Sequence, residues 1–149
     1  MRTFLNQPDA TFYHVTTIEA WTGIIAERRF HSPSGRIFVS RVGELPVLAA
    51  IALEQLPEIN DTSEVVFLKF PQAKNNFLPE EIRPDNQALV EWSRPFQYII
   101  RRQIIPVENI ELMMTLRFRD ESHKTFLLTE LSRISNQGCE NYPSHSIMR

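Results

Sequence analysis

The feature that most constrains the fold is a nearly unbroken apolar run at residues 64–70, EVVFLKF. The run has the length of a strand and is rich in β-branched and aromatic side chains. It lacks the apolar and polar alternation of a half-exposed strand, so we expect other structure to pack on both of its faces. The chain should therefore fold around this segment as a central strand.

Two strand and helix pairs are predicted ahead of this run. Residues 11–15 (TFYHV) and 36–40 (RIFVS) have strand composition. Helical spacing of apolar residues predicts helices over 17–28 and 44–56. Thr16 and Glu19 have the spacing of a capping box, in which each side chain satisfies a free backbone donor of the first helical turn. The first helix should therefore begin directly after the histidine strand.

The second half of the chain reads mostly as strands. Residues 71–95 contain four of the ten prolines, which predicts a long excursion with one short helical turn near 86–91. Strands are predicted at 97–102 and 110–118, separated by a tight turn at 105–110, and a last helix at 122–136 precedes a loose tail from about 137. The expected fold is a single α+β domain over residues 1–149 with a split, mostly antiparallel sheet.

Composition narrows the classes of function. Sixteen basic and eighteen acidic residues give a net charge of −2, without the basic excess of dedicated nucleic-acid binders. Cys139 is the single cysteine, so neither an internal disulfide nor a cysteine zinc site can form, and a reducing, cytoplasmic location is expected. No apolar stretch has the length that a bilayer requires. The four histidines lack the spacing of a metal site, so we expect no metal.

The segment FYHVTT, residues 12–17, places a histidine in an otherwise apolar strand with two hydroxyls directly after it. With the following helix, turn, RIFVS strand and Ala-rich helix, it resembles the front half of the ADP-ribosyltransferase fold, in the branch of diphtheria toxin, poly(ADP-ribose) polymerases and RNA 2′-phosphotransferases. Tyr13, His14 and Thr16 match the Tyr-His-x-Thr/Ser motif of that family. The resemblance extends over residues 11–112. It implies an ADP-ribosyltransferase-like fold that uses NAD as substrate.

The second strand motif of that family, Gly-x-Tyr-Phe-Ala, corresponds to the segment from Arg36 to Ser40. Phe38 then stands where the family has tyrosine. In this resemblance Tyr13, His14, Thr16 and Ser40 belong to the NAD site, and His14 hydrogen-bonds the ribose hydroxyls. Phe38 would stack on the nicotinamide ring, and each such contact contributes about 1 kcal/mol.

The family also needs a carboxylate that stabilises the oxocarbenium-like transition state. Its Ile-Pro-x-x-x-Ile turn corresponds to Ile105, Pro106 and Ile110, and counting back from this turn places Gln97 at the catalytic position. The nearest acid is Glu91. Either Glu91 enters the site and the enzyme is active, or Gln97 occupies the site and transfer loses a factor on the order of 10² to 10³ in rate.

Several arginines are candidates for contacts with phosphate, because a guanidinium makes bidentate, charge-assisted hydrogen bonds to it. These are Arg28, Arg29, Arg36, Arg41, Arg101 and Arg102. Arg36 and Arg41 flank the second strand motif, which makes them the first candidates for the NAD pyrophosphate or a nucleic-acid acceptor. Neighbouring strand residues face opposite ways, so only one of Arg101 and Arg102 can point at a given cleft.

Two functions remain open at this stage. The first is an NAD-dependent ADP-ribosyltransferase that modifies an intracellular protein or nucleic acid, of the kind found among bacterial and phage toxins and effectors, with an antitoxin or another protein as partner. The second is a catalytically degenerate module on the same fold that binds a nucleotide, a nucleic acid or a partner protein. A metal-independent nuclease with His14 as general base ranks last, because the sequence singles out no second acid or base.

Overall fold

The structure is a computed structural model that describes residues 2–55, 64–86, 91–117 and the single residue 129. The helices are α1 (Arg2–Leu5), α2 (Ile18–Glu27), α3 (Leu45–Gln55) and α4 (Gln72–Asn75). The strands are β1 (Thr11–Thr17), β2 (Arg29–His31), β3 (Ile37–Ser40), β4 (Glu64–Pro71), β5 (Ile82–Pro84), β6 (Gln97–Ile100), β7 (Ile104–Pro106) and β8 (Glu111–Arg117). Short 3-10 helices occupy Pro79–Glu81, Glu91–Phe96 and Val107–Asn109.

The apolar run forms β4, which pairs with β1 on one side and β8 on the other. The larger sheet has the order β5-β6-β3-β1-β4-β8, and β2 and β7 form a separate two-stranded sheet. All pairings between described strands are antiparallel. The prediction of a single α+β domain with a mostly antiparallel sheet is therefore confirmed at this level.

The larger sheet has apolar clusters on both faces. One contains Phe12, Val39 and Phe70 and includes Ile24 of α2, and we call it the α2 face. The other contains Val65 and Phe67 together with Leu48, Ala49 and Ala52 of α3, and we call it the α3 face. Because side chains alternate along a strand, consecutive residues of β1 point to different faces.

The start of α2 lies one residue later than the capping box predicted. The N-cap is Thr17, whose hydroxyl accepts a hydrogen bond of 3.1 Å from the Ala20 amide. Thr16 belongs to β1, because pairing between β1 and β4 continues to Thr17 opposite Val65 and holds the backbone extended. The capping function predicted for Thr16 is therefore wrong, and this threonine is left for another role.

Short elements account for the other differences from the predictions. β2 and β7 were not predicted, because strands of three residues carry no readable period. The excursion after β4 contains α4, a 3-10 helix and the edge strand β5. Two predictions fall largely outside the described residues. A helical turn is predicted at 86–91, and the structure does not describe residues 87–90. Of the predicted helix at 122–136 and the tail after it, the structure describes residue 129 alone. Among the described helices, none is long and apolar enough to cross a membrane.

Candidate functional site

His14 lies in β1 where this strand separates from β3. The recorded pairing between the two strands is Tyr13 opposite Ser40. One residue further along β1, a side-chain hydrogen bond takes the place of backbone pairing with β3: Nδ1 of His14 lies 2.7 Å from the Phe38 carbonyl oxygen. A carbonyl only accepts, so Nδ1 carries the proton and donates it. In the neutral ring, Nε2 is then left as a hydrogen-bond acceptor.

Two aromatic rings hold the imidazole in place. The Phe70 ring stacks on it with the centroids 5.7 Å apart, and Phe30 meets it edge-on at 5.1 Å. Burial lowers the pKa of His14 below its ordinary value, and the Phe38 carbonyl offsets part of this change. His14 is therefore neutral at neutral pH, with an oriented Nε2 that can accept a hydrogen bond from a ligand hydroxyl.

His14 lines a cavity of about 290 Å³ between β1, α2 and β2, which we call the His14 cavity. Its other lining residues are Thr16, Ala20, Gly23, Ile24, Glu27, Arg29, Phe30 and His31. Gly23 contributes open space, since a Cβ at this position would meet nothing within 4 Å. The volume is near the lower end of the range for small-molecule sites.

Charged and polar side chains enter this cavity from the junction of α2 and β2. Arg28 caps α2 in the left-handed conformation (φ 62°), and its carbonyl accepts a 3.0 Å hydrogen bond from the Val107 amide. The chain then reverses directly into β2, so that Glu27 and Arg29 reach the same cavity. A carboxylate, a guanidinium and two imidazoles around one cavity can bind a ligand that carries both hydroxyl and anionic groups.

Phe38, Ser40 and Gln97 are not among the residues that line the cavity. Ile37 and Val39 are buried in the cluster of the α2 face, so alternation places Phe38 and Ser40 on the α3 face. The side chain of Phe38 is exposed (45%), and Ser40 is buried with its hydroxyl bonded to the backbone of Val42.

Gln97 shares the α3 face with Ser40, which it opposes in the register of β3 and β6. It is 2% exposed. The structure therefore does not bring the side chains of His14, Phe38 and Gln97 together. The structure describes the backbone of Glu91 only, so its catalytic role stays a prediction.

Tyr13 faces away from His14 and packs directly on Gly43. A Cβ on Gly43 would lie 2.3 Å from Cζ of the Tyr13 ring, so only glycine fits beneath this ring in its present position. Burial raises the pKa of the Tyr13 hydroxyl, and the charges of Glu44 and Asp9 raise it further. The neighbouring motif residue Thr16 lies in the His14 cavity.

The other predicted arginines are distributed over several places. Arg36 is exposed and its amide closes the turn onto Ser32 Oγ at 3.2 Å. Arg102 is paired with Glu81 at 2.7 Å, whereas Arg101 is exposed. Of the six arginines predicted as phosphate contacts, all within the described residues, only Arg29 lines the His14 cavity.

Sequence reasoning missed Glu27, Phe30 and His31 as cavity residues. The available signal was the segment ERRFH at the end of the predicted helix, a run of charged and aromatic residues that continues without turn residues into the next strand. Its significance depends on the left-handed conformation of Arg28, which periodicity does not reveal.

Comparison of the chain with protein-family models, with characterised proteins and with solved structures gives no match. Within the described ranges, no group of three or more His, Cys, Asp or Glu side chains is arranged to hold a metal ion. The function must therefore be argued from the His14 cavity and from the motif that places His14 in it.

Proposed function

We propose that this chain is an ADP-ribosyltransferase-like domain that binds an NAD-type nucleotide in the His14 cavity. The observation that carries the proposal is the position of His14. This histidine of the FYHVTT motif lines a cavity large enough for part of a nucleotide, with its ring fixed by Phe38, Phe30 and Phe70. A histidine packed only for stability would not need an open cavity beside it.

The lining residues suit the chemical groups of such a nucleotide. The neutral Nε2 of His14 and the hydroxyl of Thr16 suit the vicinal hydroxyls of a ribose, each hydrogen bond contributing about 1 kcal/mol. Arg29 supplies a cation for a phosphate group. These residues come from β1 and β2, and α2 closes the cavity between them.

NAD binding is tested by isothermal titration calorimetry on the wild type and His14→Asn. The asparagine amide can still donate to the Phe38 carbonyl but offers no acceptor at the position of Nε2. We expect roughly fivefold weaker binding, which corresponds to about 1 kcal/mol. Arg36→Ala is the matched control, because Arg36 is exposed and is not among the cavity residues. No binding of NAD by the wild type, or equal binding by His14→Asn, would contradict the proposal.

ADP-ribosyl transfer to an intracellular protein or nucleic acid is the second candidate function, favoured by one observation. A carboxylate, that of Glu27, lines the same cavity as His14. A fixed negative charge beside the ribose is what the oxocarbenium-like transition state requires. Gln97 has no charge and faces the other side of the sheet. If neither Glu27 nor Glu91 provides the catalytic carboxylate, the chain is the degenerate module that binds without transfer.

Release of nicotinamide from NAD separates these two functions. If the domain is active, Glu27→Gln or Glu91→Gln lowers kcat on the order of 10² to 10³ while NAD binding persists, and the affected variant identifies the carboxylate. Binding without release by the wild type supports the degenerate module. Release that is unchanged in both variants would exclude both carboxylates.

A further inference from the structure

Gly23 lies in the middle of α2, at a position where the helix itself has no use for a glycine. Its backbone is helical, and the residue of this segment with a left-handed backbone is Arg28, with φ 62°. Glycine weakens a helix relative to alanine because it loses more backbone freedom on folding, whereas it is the favoured residue at a left-handed helix end. The conformation of α2 therefore does not explain the glycine at position 23.

Packing within the described part of the chain does not explain this glycine either. A Cβ added to Gly23 would meet no atom of the described residues within 4 Å. Gly43 is the opposite case, because a Cβ there would collide with the Tyr13 ring. The space beside Gly23 is that of the His14 cavity, which Gly23 lines.

One face of α2 forms a wall of this cavity. The residues of α2 that line it are spaced three and four apart: Ala20, Gly23, Ile24 and Glu27. Gly23 and Glu27 are exposed, so this wall is open to solvent and a ligand can reach it. His14 and Thr16 line the cavity from β1. A ligand that bonds His14 and Thr16 therefore has α2 within reach on another side.

We propose that Gly23 is a specificity-determining residue of the His14 cavity, whose missing side chain leaves room for the ribose of the nucleotide against α2. The inference rests on the proposed function and names the residue that limits the size of the group accepted beside His14. Without a Cβ, the helix backbone lets a ligand approach closely. A larger side chain at position 23 would occupy part of a cavity of about 290 Å³. Glycine therefore favours ligand binding at the expense of helix stability.

Gly23→Ala tests this trade-off in the full chain by thermal unfolding without ligand and by calorimetric titration with NAD. Alanine fits the helical backbone, so Tm should rise by roughly 2 °C, whereas the affinity for NAD should fall roughly threefold. A glycine with a purely structural role would change Tm and leave the affinity unchanged. Thr22→Ala is the matched control, because Thr22 is exposed in the same helix and is not among the cavity residues. It should leave the affinity for NAD at the wild-type value.

Gly23→Val extends the series to a larger side chain. Valine should weaken NAD binding at least roughly tenfold, so that affinity falls in the order of glycine, alanine and valine. Ala26→Val adds a β-branched side chain to the same helix at an exposed position that is not among the cavity residues. It should bind NAD as the wild type does.

The outcomes separate the role of Gly23 from the proposed function. Equal or tighter NAD binding by Gly23→Ala would overturn the role of Gly23 and leave the nucleotide site intact, and this variant decides the matter if Gly23→Val does not fold. An equal loss of affinity in Thr22→Ala or Ala26→Val would also overturn it, because the effect would then come from the helix and not from the cavity. No NAD binding by the wild type would remove the proposed function and this inference together.

Discussion

The contacts of His14 explain why a histidine stands in the apolar strand β1. β1 and β3 separate beyond the pairing of Tyr13 with Ser40, and the Phe38 carbonyl would lose its ladder partner there. The imidazole donates to this carbonyl at 2.7 Å and fills the gap between two phenylalanine rings. No aliphatic side chain combines a donor with a flat apolar surface. The same arrangement fixes the orientation of the ring that lines the cavity we propose for the nucleotide.

The lowered pKa of His14 makes the stability of the fold depend on pH. The pKa is below its ordinary value of 6.5 in the folded state, so below about pH 6.5 the unfolded chain takes up a proton that the folded chain does not. Acidification through this range therefore lowers the free energy of unfolding, by up to about 1.4 kcal/mol per pH unit.

Urea denaturation at pH 7.5 and pH 5 measures this effect. The loss of stability on acidification should be smaller in His14→Asn, which keeps the donor to Phe38 and does not titrate in this range. His31→Asn serves as the comparison, because His31 is exposed at the same cavity. An equal pH dependence in the wild type and His14→Asn would show that His14 does not have a lowered pKa.

Single residues were predictable from the sequence only where local pattern decides their position. FYHVTT identified His14 and Thr16, both of which line the cavity. The placement of Phe38 and Gln97 depends on the register of β1, β3 and β6, and a shift of one residue moves a side chain to the other face. The resemblance to the ADP-ribosyltransferase family did not predict how β1, β3 and β6 align.

At the scale of elements, Arg102 ties together the segments around the short strand β5. Its Nε and Nη2 donate to the two carboxylate oxygens of Glu81 at 2.9 and 2.7 Å, and Nη1 donates to the Asn75 carbonyl at 3.2 Å. The guanidinium also lies 4.6 Å from the Phe77 ring centroid. Partial burial acts to raise the pKa of Glu81, but the hydrogen bonds from Arg102 and the Leu78 amide outweigh it, so this pKa is lowered.

We expect Arg102→Lys to lower the free energy of unfolding by roughly 1–2 kcal/mol, because lysine cannot form the bidentate contact with Glu81 while also reaching Asn75. Lys74→Met is the control. It removes an ion pair with Glu111 whose side chains are 44% and 43% exposed, and it should change stability by less than about 0.5 kcal/mol. Chemical denaturation of both variants provides the measurement. Similar losses for the two would contradict the structural role of Arg102.

Elements long enough to show a periodic pattern were predictable, and strands of three residues were not. The bounds of α3 and β8 follow their apolar periodicity closely, and β4 follows its apolar run. β2 and β7 form because Arg29 opposes Pro106 and His31 opposes Ile104, pairings that are distant in the chain. The cavity depends on this pair, since β2 supplies three of its lining residues. Most of the strands therefore followed from sequence pattern, while this wall of the candidate site required the structure.

At the scale of the whole molecule, the sheet separates two environments. The α2 face carries the His14 cavity, and the α3 face carries Tyr13 packed on Gly43 and the buried Ser40 and Gln97. A nucleotide bound at His14 must therefore contact α2 and β2, whereas a ligand centred on Phe38 and Gln97 would contact the opposite side. The proposed function thus makes a claim about which face of one sheet holds the ligand.

The most direct test of that claim is heteronuclear NMR of the labelled chain during titration with NAD. The account predicts the largest changes in amide shift at Gly23, Phe30 and His31, with little change at Ser40 and Gln97. Shifts concentrated at Ser40 and Gln97, or no shifts at millimolar NAD, would contradict it.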